Sequence, residues 1–360
     1  MITPFRVEIP EHALADLHQR LDRTRWPDEL PGTGWDYGLP QARLRELTRY
    51  WREDYDWRAQ EERLNALPQY TTEIDGQRVH FLHLRSARQD ALPLLLTHGW
   101  PGSIVEFLDV LEPLAGRFHL VIPSIPGFGF SGPTRERGWD VHRVARAWAE
   151  LMHRLGYRRY GAQGGDWGSA ISRALGALAP EAVVGVHLSY LPTPPPAEGV
   201  GELSAADQRR LAGIGEYLAR RPGYQVMQET EPQTLAYGMA DSPVGQLAVI
   251  AARFAEWTDP AGEISFDRLL TNVMLYWLTG TAASSSRLRW ESTRGGPGGS
   301  LACPVPVGVA VFAHDITLPI RAFAERSYRI THWSEFGRGG HFPALEVPGS
   351  FAADVGTFFG

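Results

Sequence analysis

The chain has 360 residues, a net charge of −6 and a single cysteine, Cys303, which cannot form an intrachain disulfide. Its 43% hydrophobic and 21% charged residues are ordinary for a soluble globular protein, and the small negative charge favours neither nucleic acid nor an anionic membrane as a partner. No run approaches the ~18 apolar residues of a membrane span and the amino terminus lacks an apolar signal core, so we expect a cytoplasmic protein.

Residues 1–70 are predicted to form a helical amino-terminal arm. Leu14, Leu17 and Leu21 have helical spacing, and a second helical stretch surrounds Leu47. Four tryptophans are too many for a solvated tail, so we expect the arm to pack over the main domain. These residues are Trp26, Trp35, Trp51 and Trp57.

Residues 71–191 alternate between strand and helix patterns, which indicates a mainly parallel sheet. The first two strands form a hairpin around the turn Asp75-Gly76. Apolar residues between Val141 and Leu155 lie on one face of an amphipathic helix. The predicted strands cover residues 72–74, 78–84, 92–97, 120–122 and 185–190.

Residues 192–300 are predicted to form an inserted helical cap. Four prolines between positions 192 and 196 take the chain out of the sheet in an extended form, and the pattern that follows is helical. The glycine-rich loop 295–299 closes the insertion. The core resumes over residues 301–360, with strands at 307–312 and 328–332 and a helix at 349–359.

The stretch Gly164-Gly-Asp-Trp-Gly-Ser169 has the form of a nucleophile elbow, a tight strand-to-helix turn that raises one side chain above an α/β sheet. Its central residue is Asp166, where a serine hydrolase has serine. A carboxylate is already ionised at pH 7 and suits displacement at a saturated carbon, so strained ethers or alkyl halides are the expected substrates. The alternative is that Asp166 only caps the helix that begins at Trp167.

An elbow nucleophile needs a general base and an acid, which follow it in the order acid, histidine. Asp315 comes directly after the predicted strand 307–312, and His341 lies in the loop after the last strand. Carboxyl ends of strands are where an α/β sheet places active-site groups. We therefore predict a triad of Asp166, Asp315 and His341, with Glu325 left open as an alternative acid.

The stretch His98-Gly-Trp-Pro supplies a second element of the predicted site. The backbone N–H groups of Trp100 and Trp167 are expected to form an oxyanion hole. The alternative is a simple Gly-Pro turn.

Taken together, these motifs resemble the microsomal-type epoxide hydrolases of the α/β-hydrolase superfamily, which include the juvenile hormone hydrolases of insects and soluble microbial enzymes. The resemblance spans nearly the whole chain, without the membrane-spanning amino terminus of the animal enzymes. It implies an α/β-hydrolase fold, a mainly parallel sheet flanked by helices, with an inserted cap and an amino-terminal arm. The complete absence of lysine fits a GC-rich bacterial source. The motifs that carry the resemblance are Thr24-Arg-Trp-Pro27, His98-Gly-Trp-Pro-Gly-Ser103, Pro123-Ser-Ile-Pro-Gly127, Gly164-Gly-Asp-Trp-Gly-Ser169, Leu269-Leu-Thr-Asn-Val-Met-Leu-Tyr-Trp277 and Gly339-Gly-His-Phe342.

The resemblance also implies two cap tyrosines that hydrogen-bond the epoxide oxygen and protonate it as the ring opens. The first matches Tyr224. At the second position this sequence has Arg289, with Trp290 beside it, and both are candidates for the substrate pocket. Two other cap phenols, Tyr237 and Tyr276, are expected to pack in the interior of the cap.

The predicted function is the opening of an oxirane to a vicinal diol through an ester on Asp166, with no cofactor and no metal. The aromatic content suggests an apolar or aromatic epoxide, met either in detoxification or in natural-product biosynthesis. The runner-up is a dehalogenase that uses the same triad, with Trp167 as a halide donor. A third hypothesis is a non-catalytic ligand-binding protein of this fold. The oligomeric state is open, and a homodimer is one arrangement.

Overall fold

The computed structural model describes residues 1–196, 199–220, 222–294 and 303–360. Over these residues nine strands form one sheet in the order β1-β2-β3-β5-β4-β6-β7-β8-β9. The strands β5, β4, β6, β7, β8 and β9 are parallel to one another. The strands β1, β2 and β3 extend the sheet beyond β5 in antiparallel pairs. The strands are β1 (Thr3–Pro4), β2 (Gln69–Ile74), β3 (Gln77–Leu84), β4 (Leu92–Thr97), β5 (Phe118–Pro123), β6 (Tyr160–Gly164), β7 (Val183–Leu188), β8 (Cys303–Phe312) and β9 (Tyr328–Phe336).

Helices occur between the strands, in one large insertion between β7 and β8, and after β9. No helix in the described ranges is long and apolar enough to cross a membrane. The helices are α1 (Glu11–Asp22), α2 (Gln41–Glu53), α3 (Trp57–Asn65), α4 (Leu111–Ala115), α5 (Val141–Arg154), α6 (Asp166–Leu178), α7 (Ala205–Arg220), α8 (Gly223–Thr230), α9 (Pro232–Asp241), α10 (Pro243–Trp257), α11 (Phe266–Thr279), α12 (Ala282–Arg294), α13 (Arg321–Ser327), α14 (Pro343–Glu346) and α15 (Pro348–Phe359).

The sheet is covered by helices on both faces, as the sequence predicts. On β7, the backbone of Gly185 lies against Phe358 of α15, whereas the side chain of Val186 lies against Gly176 of α6. Successive residues of a strand point to opposite faces. The helices α6 and α15 therefore pack on opposite sides of the sheet.

The predicted hairpin is confirmed. Asp75 and Gly76 both have positive φ, 52° and 71°, and they join Ile74 to Gln77 in the register of a two-residue turn. Positive φ at both central residues is what the right-handed twist of a hairpin requires, and an Asp-Gly pair adopts it at low cost.

The amino-terminal arm contacts both the sheet and the insertion: β1 pairs with β2 at the edge of the sheet, and α2 packs against α11. The Trp51 side chain is 1% exposed and donates its indole N–H to the sulfur of Met274 on α11, at 3.3 Å. The Tyr55 hydroxyl lies 3.0 Å from that of Thr271 on the same helix. The prediction that all four tryptophans are packed is wrong for Trp35, which is 53% exposed in the loop between α1 and α2.

The described residues of the insertion form six helices, α7 to α12, and no strand. Residues 192–196 form neither helix nor strand, in agreement with the prediction for the prolines. The predicted closing loop, 295–299, lies outside the described residues. Helix α11 links the insertion to the loop after β4: the Asn272 amide donates to the carbonyl of Pro101 at 2.7 Å, and the Tyr276 hydroxyl to that of Gly102 at 2.6 Å.

Candidate active site

Asp166 occupies a strained turn between β6 and α6, with φ of 44°. A Cβ atom at Gly164 would lie 2.1 Å from the carbonyl oxygen of Gly168, and one at Gly168 would lie 1.9 Å from that of Thr97. Only glycine fits at these two positions. The close approach of strand and helix holds the Asp166 carboxylate at the carboxyl end of the sheet, and residues that tolerate such strain are typical of functional sites.

His341 joins the two predicted carboxylates. Its Nδ1 lies 2.7 Å from Oδ1 of Asp315, and its Nε2 lies 3.5 Å from Oδ2 of Asp166. The backbone N–H of His341 donates to the carbonyl of Trp257 at 2.8 Å and anchors the loop to the end of α10. The alternative acid, Glu325, is 48% exposed and pairs with Arg321 at 2.7 Å on the surface of α13, so the geometry favours Asp315.

The electrostatics of the site favour an ionised Asp166. Burial favours the neutral carboxyl, but His341 and the amides of Trp100 and Trp167 outweigh it and lower the pKa of Asp166 below its ordinary value. Burial also disfavours the charged form of His341. There the charge of Asp315 and the hydrogen bond to Asp166 outweigh burial, and the pKa of the imidazole is raised well above its usual range. The free site therefore holds a carboxylate beside an imidazolium.

The predicted oxyanion-hole amides face the carboxylate of the predicted nucleophile, Asp166. The backbone N–H of Trp100 donates to Oδ1 of Asp166 at 2.7 Å, and that of Trp167 also lowers the pKa of this carboxyl. The loop can come this close because residue 99 is glycine: a Cβ there would lie 2.3 Å from Cβ of Asp166. Oδ1 is thus held by the backbone, whereas Oδ2 faces His341.

Tyr224, in the first turn of α8, stands over the loop that carries Trp100. Its ring stacks on the Trp100 indole, with centroids 5.2 Å apart and planes 12° from parallel, and meets Trp257 edge-on at 5.5 Å. Burial is the main cause that raises the pKa of Tyr224, so the phenol keeps its proton at neutral pH. Its position suits a hydrogen-bond donor near Asp166.

Sequence reasoning missed Tyr217, on the last turn of α7. Its hydroxyl lies 3.2 Å from that of Tyr224. The two residues are seven apart in sequence, and Pro222 separates their helices. No motif or periodicity links them, so only the fold reveals the pair.

Arg289 lies beside Trp167, the residue that follows the predicted nucleophile, although an arginine side chain is not a phenol. Its guanidinium carbon is 5.0 Å from the centre of the Trp167 ring, and its Nη1 donates to Oε1 of Glu229 at 3.3 Å. The ring of Trp290, in contrast, is covered by the guanidinium of Arg294 at 4.6 Å. Of the two predicted pocket residues, Arg289 is therefore the one seen to contact the elbow, through Trp167.

The two remaining cap phenols differ from each other. Tyr276 is buried, as expected, and its hydroxyl bonds the carbonyl of Gly102. The expectation that Tyr237 packs in the cap is wrong, because its side chain is 71% exposed on α9. Helix α9 carries its buried residues, Ala236 and Met239, on another face.

Glu106 was also missed. It follows His98-Gly-Trp-Pro-Gly-Ser103 by three residues and lines a small cavity together with Asp166 and His341. Burial raises the pKa of Glu106 to about 8, so this carboxyl is largely protonated at neutral pH. The position of Glu106, three residues after the predicted oxyanion-hole motif, is the sequence signal that could have identified it.

In the described residues, no group of three or more His, Cys, Asp or Glu side chains could hold a metal ion.

Two family models match the chain. The model described as "Epoxide hydrolase N terminus" matches residues 2–107. The model described as "alpha/beta hydrolase fold" matches residues 92–214, which include the elbow and the loop after β4.

Individual proteins are similar over almost the full length of the chain. A protein of Stigmatella aurantiaca (strain DW4/3-1) with the provisional name of epoxide hydrolase is 45% identical, over 99% of this chain and 84% of its own. "Epoxide hydrolase 1" of Sus scrofa is 34% identical, over 100% of this chain and 88% of its own. The crystal structure of juvenile hormone epoxide hydrolase from the silkworm Bombyx mori superposes with a TM-score of 0.93 at 32% identity, covering 100% of this chain and 94% of that one.

Proposed function

This chain belongs to the epoxide hydrolases of the α/β-hydrolase fold, and from that premise we propose that Asp166 is the nucleophile of a two-step hydrolysis. The reaction class is a property of the family; the roles of individual residues are the proposal. One observation carries it: the two oxygens of the Asp166 carboxylate have different partners, Oδ1 the amide of Trp100 and Oδ2 the imidazole of His341.

In the first step, Oδ2 of Asp166 attacks a carbon of the oxirane. A bond forms between that carbon and Oδ2, the bond from the carbon to the ring oxygen breaks, and its electron pair moves to the ring oxygen. Tyr224 donates its hydroxyl proton to this oxygen, which would otherwise leave as an unfavourable alkoxide. The product is an ester between the substrate and Asp166.

In the second step, His341 removes a proton from water, and the hydroxide oxygen attacks Cγ of the ester. The negative charge develops on Oδ1, which already accepts the Trp100 N–H at 2.7 Å, so the hole needs no rearrangement. As this intermediate collapses, the bond from Cγ to the substrate oxygen breaks, that oxygen takes the proton of the His341 imidazolium, and the diol is released. One oxygen of water stays in Asp166, whose carboxyl then gives its remaining proton to His341 and restores the free site. Asp315 holds the imidazole in orientation and stabilises its cation.

Alkylation itself prepares His341 for the second step. In the free site, the charges of Asp315 and Asp166 both raise the pKa of the imidazole. The ester has no charge on Asp166, so one of these two causes is lost and the pKa of His341 falls. The imidazolium can then return its proton to the phenolate left by ring opening, and neutral His341 is ready to act as a base.

The substrate is proposed to be an apolar or aromatic epoxide, because aromatic side chains surround Asp166. Trp100 and Tyr224 stack beside it, Trp257 meets both of their rings edge-on, and Trp167 adjoins it in sequence. Detoxification and natural-product biosynthesis are the two proposed settings. The stacked phenol supports epoxide opening over dehalogenation, since a halide leaves without a proton.

Three further assignments are also proposals. The first divides the chain into an arm (1–70), a core (71–191 and 301–360) and a cap (192–300), which the position of α7 to α12 between β7 and β8 supports. The second is a cytoplasmic location, supported by the single, buried and unpaired Cys303. The third is a homodimer as one candidate assembly.

Trapping of the ester tests the mechanism. His341→Gln is expected to alkylate and then stall, because only the second step needs the base. Intact-protein mass spectrometry with a reactive epoxide such as styrene oxide should show one added substrate mass on the peptide that contains Asp166. His314→Gln changes an exposed neighbouring histidine and should turn over like wild type. An adduct on another residue, or none where wild type is active, would exclude the two-step mechanism.

A further inference from the structure

We propose that Tyr217 is a catalytic residue that binds the oxirane oxygen together with Tyr224, in the role that the family resemblance assigns to residue 289. This inference rests on the proposed function of Asp166. It gives the chain two phenols at the reacting oxygen, one from α7 and one from α8, although position 289 carries arginine.

The distance between the two hydroxyls is the main support. They are 3.2 Å apart in the part of the chain that the structure describes. One acceptor can lie at the usual ~2.7–2.8 Å of an O–H···O bond from both hydroxyls, so both can donate to it at once. The two hydroxyls bond each other in the free site and would turn to the oxirane oxygen when it enters.

The pair is held in place relative to the nucleophile. Tyr224 stacks on Trp100, whose amide binds Oδ1 of Asp166 at 2.7 Å, so one rigid chain of contacts runs from the elbow to the phenols. Tyr217 is half-buried, and its hydroxyl also lies 3.4 Å from the side-chain oxygen of Gln225. Both tyrosines are close enough for the charge of Asp166 to act on them.

Arg289 is poorly suited to be the second proton donor itself. A guanidinium keeps its protons at any ordinary pH, and here one of its nitrogens is engaged by Glu229 at 3.3 Å. Its charge can act on the phenols instead. Burial raises the pKa of Tyr217 and of Tyr224, whereas the charge of Arg289 lowers both. Arg289 would thereby stabilise the phenolate that remains once a proton has moved to the ring oxygen.

The proton balance is simple. As the bond from carbon to the ring oxygen breaks, one phenol transfers its proton to that oxygen and becomes a phenolate. The second phenol stays neutral and donates a hydrogen bond. The phenolate is reprotonated by the imidazolium of His341, as above, so no external co-reactant is needed.

The test measures the rate of ester formation in single turnover, with His341→Gln as the parent so that the adduct accumulates. Tyr217→Phe and Tyr224→Phe should each slow alkylation by roughly ten- to a hundredfold, the order of one positioned donor. Tyr237→Phe removes an exposed phenol of the same cap and should leave the rate unchanged.

The double variant Tyr217→Phe/Tyr224→Phe separates direct contact from positioning. If both phenols touch the oxygen, the double variant should alkylate more slowly than either single variant. Equal rates for the double variant and Tyr224→Phe would mean that Tyr217 acts only by holding Tyr224, and this would overturn the assignment, as would wild-type alkylation by Tyr217→Phe. Failure of the His341→Gln parent to form any adduct would instead reject the proposed nucleophile. Circular dichroism of each variant checks that the fold is retained, and Tyr217→Leu provides a second replacement without a hydrogen-bond donor, which should slow alkylation as Tyr217→Phe does.

Discussion

At the scale of single residues, the proposed mechanism assigns the two oxygens of Asp166 to different half-reactions. Oδ2 faces His341, and Oδ1 accepts the Trp100 amide in the free site. In that mechanism, the oxygen that would become the ester carbonyl already lies where charge would develop during hydrolysis. Such preorganisation costs no reorientation at the moment of reaction.

The role of Asp315 gives a prediction at this scale. Asp315→Asn removes the charge that stabilises imidazolium, so ester breakdown is expected to slow by roughly a thousandfold or more. Alkylation should slow by less than about tenfold, because it does not need a base. Rapid-quench mass spectrometry of the ester measures both rates. Glu325→Gln removes a carboxylate charge from a surface ion pair and should leave both rates unchanged. The opposite pattern in the two variants would mean that the acid is misassigned.

At the scale of elements, α11 connects the arm to the active site. One side of the helix receives Trp51 from the arm at Met274. Another donates the amide of Asn272 to the carbonyl of Pro101, next to Trp100. Packing of the arm thus supports the helix that holds the loop of the proposed oxyanion hole.

Stability should follow this connection. Trp51→Ala removes a fully buried indole from the contact between α2 and α11 and is expected to lower the free energy of unfolding by about 3–5 kcal/mol. Trp35→Ala removes the same side chain from an exposed loop and should change it by less than about 0.5 kcal/mol. Urea unfolding monitored by circular dichroism compares the two. Similar losses would contradict the view that α2, rather than the exposed loop that precedes it, secures the arm.

At the scale of the whole molecule, one buried carboxylate binds strands of the sheet that lie before and after the insertion in sequence. Asp354 of α15 accepts hydrogen bonds from His187 on β7 at 2.8 Å and from His332 and Ser334 on β9 at 2.8 and 2.6 Å. Strands β7 and β9 lie on either side of β8, and the helical insertion separates β7 from the other two in sequence. The network joins these two parts of the core.

This network predicts a pH dependence of stability. Burial alone would raise the pKa of Asp354, but the hydrogen bonds from His187 and Ser334 outweigh it and lower the pKa to about 2 from an ordinary 3.8. Because the folded pKa lies below the unfolded one, the stabilisation is present above pH 3.8 and is lost as the pH falls toward 2. Its size is about 2 kcal/mol, of which about 1 kcal/mol is lost by about pH 3.

Thermal or urea unfolding of wild type and Asp354→Asn between pH 6 and 3 checks this. The stability difference between the two proteins should shrink by about 1 kcal/mol toward the acid end. Asp90→Asn, an exposed carboxylate paired with Arg88, serves as the control and should give a small, nearly constant difference. A constant difference for Asp354→Asn would mean that its ionisation does not stabilise the fold.

The sequence by itself determined the features whose requirements are local. The turn Asp75-Gly76, the helical spacing of Leu14, Leu17 and Leu21, and the glycines of the elbow follow from the backbone geometry of a few neighbouring residues. Strand and helix order then indicated the sheet and the insertion, and the elbow motif together with chain order and strand ends led to the candidate triad of Asp166, Asp315 and His341. The strand ends do not follow from local sequence: β8 and β9 are each about four residues longer than predicted, because pairing between neighbours extends a strand beyond its apolar centre.

Only the tertiary structure decided which side chains from distant elements meet. Composition could not separate Trp51, which fills the contact with α11, from Trp35, which is exposed. Nor could it link Tyr217 to Tyr224, because the angle between α7 and α8 sets the distance between their hydroxyls. Side-chain contacts of this kind depend on how packed elements are oriented, and neither the period nor the spacing of residues along the chain encodes that orientation directly.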